Sequence, residues 1–329
     1  MNNNNYSEAI ALLEGAETIA VFMHINPDPD CIGSALALAS FLRNKGKKAY
    51  VFTPDTKTIS MIPERVKFLP NVSLLNKCDK RTFDLSVAVD LGETGRIGDL
   101  ALPLFYKGEK SLVIDHHETY SDFADVTVRE EKASSAAQII YKIMCRYDKN
   151  AVDKDIASLL YAGIVTDCGN FTFESTSEET FSIAAELLTY DIDFSDITRR
   201  LTKFIDYNVY RLKIRVLNET RFFVDNKLAV IVFRQKDFLD TGTKEKDTDG
   251  IINEVQNITS VLLAISISEC GTDRFKVSFR SKGGVSARAC AEAFGGGGHF
   301  NASGCRLSGK FEDVFDSLLA VAKSKLQYV

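Results

Sequence analysis

The chain has no apolar run that approaches the roughly 20 residues a membrane-spanning helix needs, so no membrane partner is expected. Its start, Met1-Asn2-Asn3-Asn4-Asn5-Tyr6, has no basic stretch leading into an apolar one, and no signal peptide is read there. Cysteine pairing is missing too. The seven cysteines, Cys31, Cys78, Cys145, Cys168, Cys270, Cys290 and Cys305, keep no paired spacing. An odd, unpatterned set implies reduced thiols and a cytoplasmic address. No long Lys/Arg stripe interleaves with aromatics, and the formal net charge is −5. A global basic field that would hold long nucleic acid is thereby excluded, although a local positive cleft is not. There is no internal repeat, and the one low-complexity stretch, Asn2–Asn5, reads as a frayed end.

What is present is ordinary for a globular chain: 329 residues, 45% hydrophobic and 26% charged, enough for two domains. In the first half, apolar runs alternate with helical patterns. Strands are expected at Thr18–His24, Lys48–Phe52, Leu85–Asp90 and Leu112–Asp115. Helices are expected at Ile32–Lys45, Ser135–Tyr147, Asp155–Val165 and Glu178–Thr189. This alternation predicts an α/β domain with a wound, mostly parallel sheet over residues 1–190. Residues 191–218 are charged and helical in pattern, and are read as a linker with a hinge. Residues 219–329 then form a smaller α/β domain, with strands at Leu228–Phe233, Val261–Ser268 and Phe275–Arg280 and helices at Val285–Phe294 and Phe311–Leu326.

Histidine is scarce, and its placement locates the chemistry. The four histidines, His24, His116, His117 and His299, each lie beside aspartates or glycines where an apolar segment ends. His24 opens the loop His24-Ile25-Asn26-Pro27-Asp28-Pro29-Asp30 at the end of the first strand. Such strand ends face the crevice where parallel sheets bind ligands. Pro27 and Pro29 keep the loop extended while it presents His24, Asp28 and Asp30. A helix cap would explain one aspartate, but not two together with a histidine. Asp90 ends the run Leu85–Val89, Asp115-His116-His117 follows Leu112–Ile114, and Thr166-Asp167-Cys168-Gly169 closes the run Leu159–Val165.

Carboxylates and imidazoles without a thiolate set suit Mn²⁺, with Mg²⁺, Co²⁺ or Zn²⁺ as substitutes. An aspartate can bridge two ions, and two ions can clamp a phosphoryl group between attacking and leaving oxygens.

The ordered set His-x-Asn-Pro-Asp-x-Asp, Asp, Asp-His-His and Thr-Asp-x-Gly resembles the DHH phosphoesterase family. Gly295-Gly296-Gly297-Gly298-His299-Phe300-Asn301-Ala302-Ser303-Gly304 is similar to that family's associated C-terminal domain. Within the family the chain looks like the nanoRNase/pAp phosphatase subgroup, and the motifs run in order over residues 24 to 304. The resemblance implies a Mn²⁺-dependent two-metal phosphoesterase. Its substrates would be short oligonucleotides, dinucleotides and 3′-phosphoadenosine 5′-phosphate. His24, Asp28 and Asp90 would hold one ion, and Asp30, Asp90, His116 and Asp167 the other. His117 would face the phosphate and Asp115 would support the histidines. Pro29 and Cys31 stand where the family more often has small residues, and Cys168 where it has threonine. If accessible, Cys31 and Cys168 would make the enzyme sensitive to peroxide.

Four aspartates and two divalent ions cancel, so the metal site alone would attract a polyanion weakly. The C-terminal domain supplies the compensation: Arg280, Ser281 and Lys282 after a strand, then Gly297, Gly298, His299 and Asn301. Arginine grips phosphate through two parallel N–H groups, and glycines let backbone N–H groups approach it. These groups suffice for one or two nucleotides, so long nucleic acid is not an expected partner. The nearest alternative is a phosphodiesterase for cyclic or linear dinucleotides. An inorganic pyrophosphatase fits less well, and so does a non-catalytic nucleotide-binding module. The sequence leaves the oligomeric state open, a homodimer included.

Overall fold

The computed structural model describes residues 5–326 apart from 79 and 81, so of the asparagine run only Asn5 is described. The chain divides into two compact units after Phe204.

The first unit opens with α1 (Tyr6–Gly15), β1 (Thr18–Phe22), α2 (Pro29–Asn44) and β2 (Lys48–Phe52). It continues with β3 (Phe83–Val89), α3 (Leu102–Phe105), β4 (Gly108–Asp115), β5 (Val126–Arg129), α4 (Ala136–Asp148), α5 (Lys154–Asp167), α6 (Glu178–Leu188) and α7 (Phe194–Thr202). Its five strands pair in parallel in the order β2-β1-β3-β4-β5. From β1 the chain moves first to one side, to β2, and then to the other, to β3. That reversal leaves a crevice beyond the C-terminal ends of β1 and β3, where open α/β sheets bind ligands.

Both faces of this sheet are covered, which is why its strands are near-continuous apolar runs. Ile19 and Val21 of β1 face one cluster, with α1, α2, α4 and α5, while Ala20 and Phe22 face a second, with α3. Each fully buried Phe or Leu in these clusters contributes about 1.5–3 kcal/mol. Helices α2 and α5 cross unusually close, and two glycines make this possible. A Cβ on Gly33 would meet the Leu159 carbonyl oxygen at 2.4 Å, and one on Gly163 would meet Asp30 Oδ1 at 2.5 Å. The crossing brings the start of α2, with Asp30, toward the end of α5, with Asp167.

The second unit comprises α8 (Tyr207–Asn218), β6 (Arg221–Phe223), β7 (Leu228–Phe233), α9 (Gln235–Thr241), α10 (Ile251–Gln256), β8 (Leu263–Gly271) and β9 (Arg274–Ser281). It ends with α11 (Ala287–Glu292), β10 (Gly297–Gly298), β11 (Ala302–Ser308) and α12 (Phe311–Leu326). Its six-stranded sheet has the order β10-β11-β9-β8-β7-β6, antiparallel except for β7 against β8. Strand β7 shows why a run without polar residues forms a central strand. Leu228 and Val230 face α11 and α12, and Ala229, Ile231 and Phe233 face α8, α9 and α10.

The architecture is α/β, as the alternation predicted. Several short elements lie where no expectation was placed: α1, α3, β5, β6, α9, α10 and the β10–β11 hairpin. Residues 191–218, read as one helical linker, contain two helices with separate attachments. Leu201 of α7 packs in the first unit's core, and Leu212 and Val216 of α8 pack in the second's. Among the described residues, no helix is long and apolar enough to cross a membrane.

Candidate metal centre

The loop after β1 starts the site. Helix α2 begins at Pro29, three residues earlier than its periodicity suggests, because Asp28 caps it. Asp28 Oδ1 accepts from the Cys31 N–H at 3.0 Å, and Pro29 takes the first helical position. The cap does not exhaust Asp28, since its Oδ2 lies 3.9 Å from His24 Nε2. Capping and ligation are therefore compatible in one side chain.

Asp30 caps nothing on its own helix. It is buried, and its carboxylate accepts from the first amides of α4, Ala136 N–H at 2.7 Å and Ala137 N–H at 3.1 Å. A helix N-terminus favours such an anion. Oδ2 spends one lone pair on Ala136 and keeps another.

Asp90 sits at the centre. It follows β3 in a left-handed conformation (φ 59°) and is 2% exposed. Its Oδ2 stands 3.4 Å from His24 Nε2, and its Oδ1 stands 3.3 Å from His116 Nε2. His116 Nε2 is also 3.3 Å from Asp167 Oδ2, at the last residue of α5.

The far nitrogens of both imidazoles are engaged by carbonyls. His24 Nδ1 lies 2.8 Å from the Ile25 oxygen, and His116 Nδ1 lies 3.3 Å from the Ala133 oxygen. Carbonyls only accept, so each Nδ1 carries the proton and a neutral ring turns a lone pair toward the carboxylates. Lone pair would then face lone pair across 3.3–3.4 Å. Asp90 Oδ1 is in fact buried without a hydrogen-bond partner. A divalent cation resolves that conflict, and the donor set fits one.

Protons are the other remedy, and the local electrostatics retain them. Burial opposes charge on His116, but Asp90, Asp167 and Asp30 outweigh it and lift its pKa to about 10. For His24, burial is likewise outweighed, by Cys31 and Asp90, and the value rises to about 12. Burial also pushes the Cys31 thiol up to about 11, so at neutral pH that group is uncharged and Asp90 exerts the pull. Burial and the neighbouring carboxylates raise Asp30 and Asp28, and push Asp167 up to about 7. Crowded carboxylates that resist ionising together are a site for cations.

Among the described residues, three overlapping groups have potential ligand atoms within 4.8 Å of one another: His24, Cys31 and Asp90; Asp90, His116 and His117; and Asp30, His116 and Asp167. His117 is oriented separately, with its Nδ1 2.7 Å from Oδ1 of the fully buried Asp115.

With this geometry in hand, comparison with known proteins is direct. The DHH family N-terminal domain matches residues 18–164, and the DHHA1 domain matches residues 225–327. The chain is 30% identical to the bifunctional oligoribonuclease and PAP phosphatase NrnA of Bacillus subtilis, over 92% of its own length and 93% of that protein's. It belongs to the DHH family. The protein of the same name from Thermus thermophilus is 29% identical over 97% of this chain and 93% of its own. Among solved structures, an exopolyphosphatase-related protein from Bacteroides fragilis superposes with a TM-score of 0.85 at 26% identity, covering 98% of this chain and 95% of that one.

Two arginines of this DHH-family site escaped the sequence reading. Arg96 Nη2 comes within 3.3 Å of His24 Nδ1, and the Arg96 carbonyl accepts from the Ile25 N–H at 2.7 Å. Arg129 clamps the backbone after the histidine pair, donating to the carbonyls of His117 (2.8 Å) and Glu118 (2.7 Å). Nothing in their spacing sets either apart from a surface arginine. Cys31 and Cys168 are both buried with raised thiol pKa values, which removes the basis for peroxide sensitivity.

In the second unit, Arg280 is half-buried on β9, and its guanidinium donates to the Phe279 carbonyl. His299 and Asn301 are exposed in the turn between β10 and β11. Gly298, at φ 139°, passes so close to β11 that a Cβ would meet Ala302 O at 2.7 Å, whereas Gly297 faces open space. Ser281 is buried and accepts from the Ala287 N–H at the start of α11. Lys282 Nζ is taken up by the carbonyls of Gln256 and Ile258.

Proposed function

We propose that this DHH-family phosphoesterase hydrolyses short oligonucleotides, dinucleotides and 3′-phosphoadenosine 5′-phosphate, with two divalent ions, Mn²⁺ first among them. The observation that carries the reading is Asp90, whose two oxygens address the Nε2 atoms of two different imidazoles. One carboxylate placed in this way suits a bridge. His24, Asp28 and Asp90 would hold one ion, and Asp30, Asp90, His116 and Asp167 the other. When bound, such a pair supplies Lewis-acid stabilisation of phosphoryl charge and an activated water.

The chain's own residues do the rest. His117, its Nδ1–H donating to Asp115, presents Nε2 on the side away from that carboxylate, and as an imidazolium it would donate Nε2–H to a phosphate oxygen. Arg280 and His299 of the second unit offer donors for a further phosphate, and the absence of a side chain at Gly297 leaves open space beside the β10–β11 turn. The names of the Bacillus and Thermus relatives support the substrate class. The net charge of −5 and the lack of a long Lys/Arg stripe support the preference for short substrates.

The test is Mn²⁺-dependent turnover over a panel: 3′-phosphoadenosine 5′-phosphate, pApA, pGpG, a cyclic dinucleotide and longer oligomers. Highest kcat/KM on the first three is expected. Preference for the cyclic dinucleotide would replace this reading with a cyclic dinucleotide phosphodiesterase. Bound metal without turnover of any substrate would indicate a binding module.

A further inference from the structure

Beyond Asp167 the backbone does something unusual. Gly169, Asn170 and Phe171 follow one another in the left-handed region, at φ 57°, 55° and 62°. Glycine enters that region freely and asparagine tolerates it, but for phenylalanine it is a strained conformation. Such strain persists only where the surroundings over-determine it. Here they do. Asn170 N–H donates to Val165 O at 2.7 Å, Phe171 N–H donates to the buried Cys168 Sγ at 3.2 Å, and Phe173 N–H donates to Cys168 O at 3.1 Å. The Phe171 ring stacks on Phe181, with centroids 5.1 Å apart and planes 18° apart, and also packs against the core.

The product of this rigid turn is the position of Phe173. Its ring lies across Gly169, where any Cβ would meet a ring carbon at 2.4 Å, so a side chain there would push the ring aside. Phe173 is nonetheless 58% exposed. A single exposed phenyl group usually means nothing. This one follows a strained turn that starts beside Asp167, a residue of the candidate metal centre, and Asp167 itself is 30% exposed on its side chain.

We propose that Phe173 is the stacking platform for a base of the substrate. The inference deepens the nucleotide reading given above and rests on it. Aromatic faces hold bases because every base has a π-face, and a phenyl ring carries no polar atom with which to tell one base from another. The platform therefore confers affinity for nucleotides with little preference among bases.

The test compares the wild type with Phe173→Ala, Phe173→Leu and Phe173→Trp on a dinucleotide and on its abasic analogue. Phe173→Leu keeps apolar bulk and loses the ring, so it stands in if Phe173→Ala folds poorly. Loss of the ring should raise KM for the dinucleotide roughly tenfold, leave kcat and bound Mn²⁺ nearly unchanged, and leave the abasic substrate unaffected. Phe173→Trp should restore KM. Because the chain contains no tryptophan, the fluorescence of Phe173→Trp reports on this site alone, and adenosine 5′-monophosphate should quench it saturably without any turnover. Equal effects on dinucleotide and abasic analogue, or unchanged fluorescence, would overturn the proposal. Absence of turnover in the wild type would instead refute the substrate reading, and the fluorescence titration would still decide the stacking.

Discussion

His117 donates from Nδ1 to Asp115 Oδ1 across 2.7 Å, and Asp115 is fully buried. The bond fixes the ring's tautomer and leaves Nε2 as the atom that can face a substrate. Asp115 also abuts the loop after Asp90, since a Cβ on Gly92 would lie 3.4 Å from its Oδ2. The residue thus orients from beneath.

Replacing Asp115 by asparagine should loosen that orientation while sparing the ions. Partners of this kind typically matter by about 10–100-fold, and kcat should fall within that range at unchanged Mn²⁺ content. Steady-state kinetics alongside metal analysis would check this. Loss of metal in proportion to activity would place Asp115 in the ion-binding set.

Asp90→Asn should lose both ions and lower kcat/KM by about 10³-fold or more. Asparagine tolerates the left-handed backbone at this position (φ 59°), so the circular dichroism spectrum should stay unchanged. Full turnover in this variant would end the two-ion assignment.

Arg280→Ala and His299→Ala should each raise KM, by about tenfold for a lost charge-assisted contact, and keep stoichiometric Mn²⁺. Ser281→Ala should behave differently. Its hydroxyl accepts from the Ala287 N–H at 3.2 Å, so it should cost about 1 kcal/mol of stability, as a lost hydrogen bond does. Thermal melts beside KM values separate the two behaviours. Metal loss at unchanged KM in the first pair would reverse the division of labour.

Substrate length gives a sharper test. With a net charge of −5 and no long Lys/Arg stripe interleaved with aromatics, kcat/KM should be highest up to about five nucleotides and fall steeply beyond. Labelled 2-, 5- and 24-mers at one Mn²⁺ and one salt concentration make the comparison, with about a tenfold drop expected at the longest. Processive degradation of the 24-mer would point to a RecJ-like exonuclease.

Asp84 offers a pH-dependent check on the fold. Its Oδ2 accepts from the backbone N–H groups of Glu17 (2.9 Å) and Thr18 (2.8 Å), tying β3 to the start of β1. The Thr18 bond lowers its pKa most, the limited burial opposes, and the Glu17 bond adds to the lowering. A depressed carboxylate stabilises the fold above its unfolded pKa, and that contribution disappears as pH falls through the folded value. Asp84→Asn should cost about 1 kcal/mol near pH 7, discounted for exposure. The gap from wild type should close as the solution is acidified below about pH 4. A gap independent of pH in urea titrations would refute the ionic origin.

The residues that the fold gathers into the candidate metal centre were legible in the chain because each carries a local signature. His24, Asp90 and the Asp115-His116-His117 triplet all end apolar runs, and a parallel sheet directs such ends into one crevice. Wound α/β architecture was legible for the same reason, since strands buried on both faces cannot hide their composition. Other features depended on encounters between distant segments, which periodicity does not encode. The Asp30 carboxylate meets the first amides of α4, 106 and 107 residues away. Only the close crossing of α2 and α5 at Gly33 and Gly163 permits that meeting. Arg96 and Arg129 look like surface arginines until β-strand order brings them against His24 and the His117 carbonyl. Cys31 and Cys168 adjoin candidate ligands in sequence, but packing seals them from solvent and keeps their thiols protonated. Phe173 was one aromatic among many until three left-handed residues and a ringed-over glycine set its face toward water. Local chemistry follows from residue type and neighbours, whereas exposure, partner and tautomer follow from which buried surfaces meet.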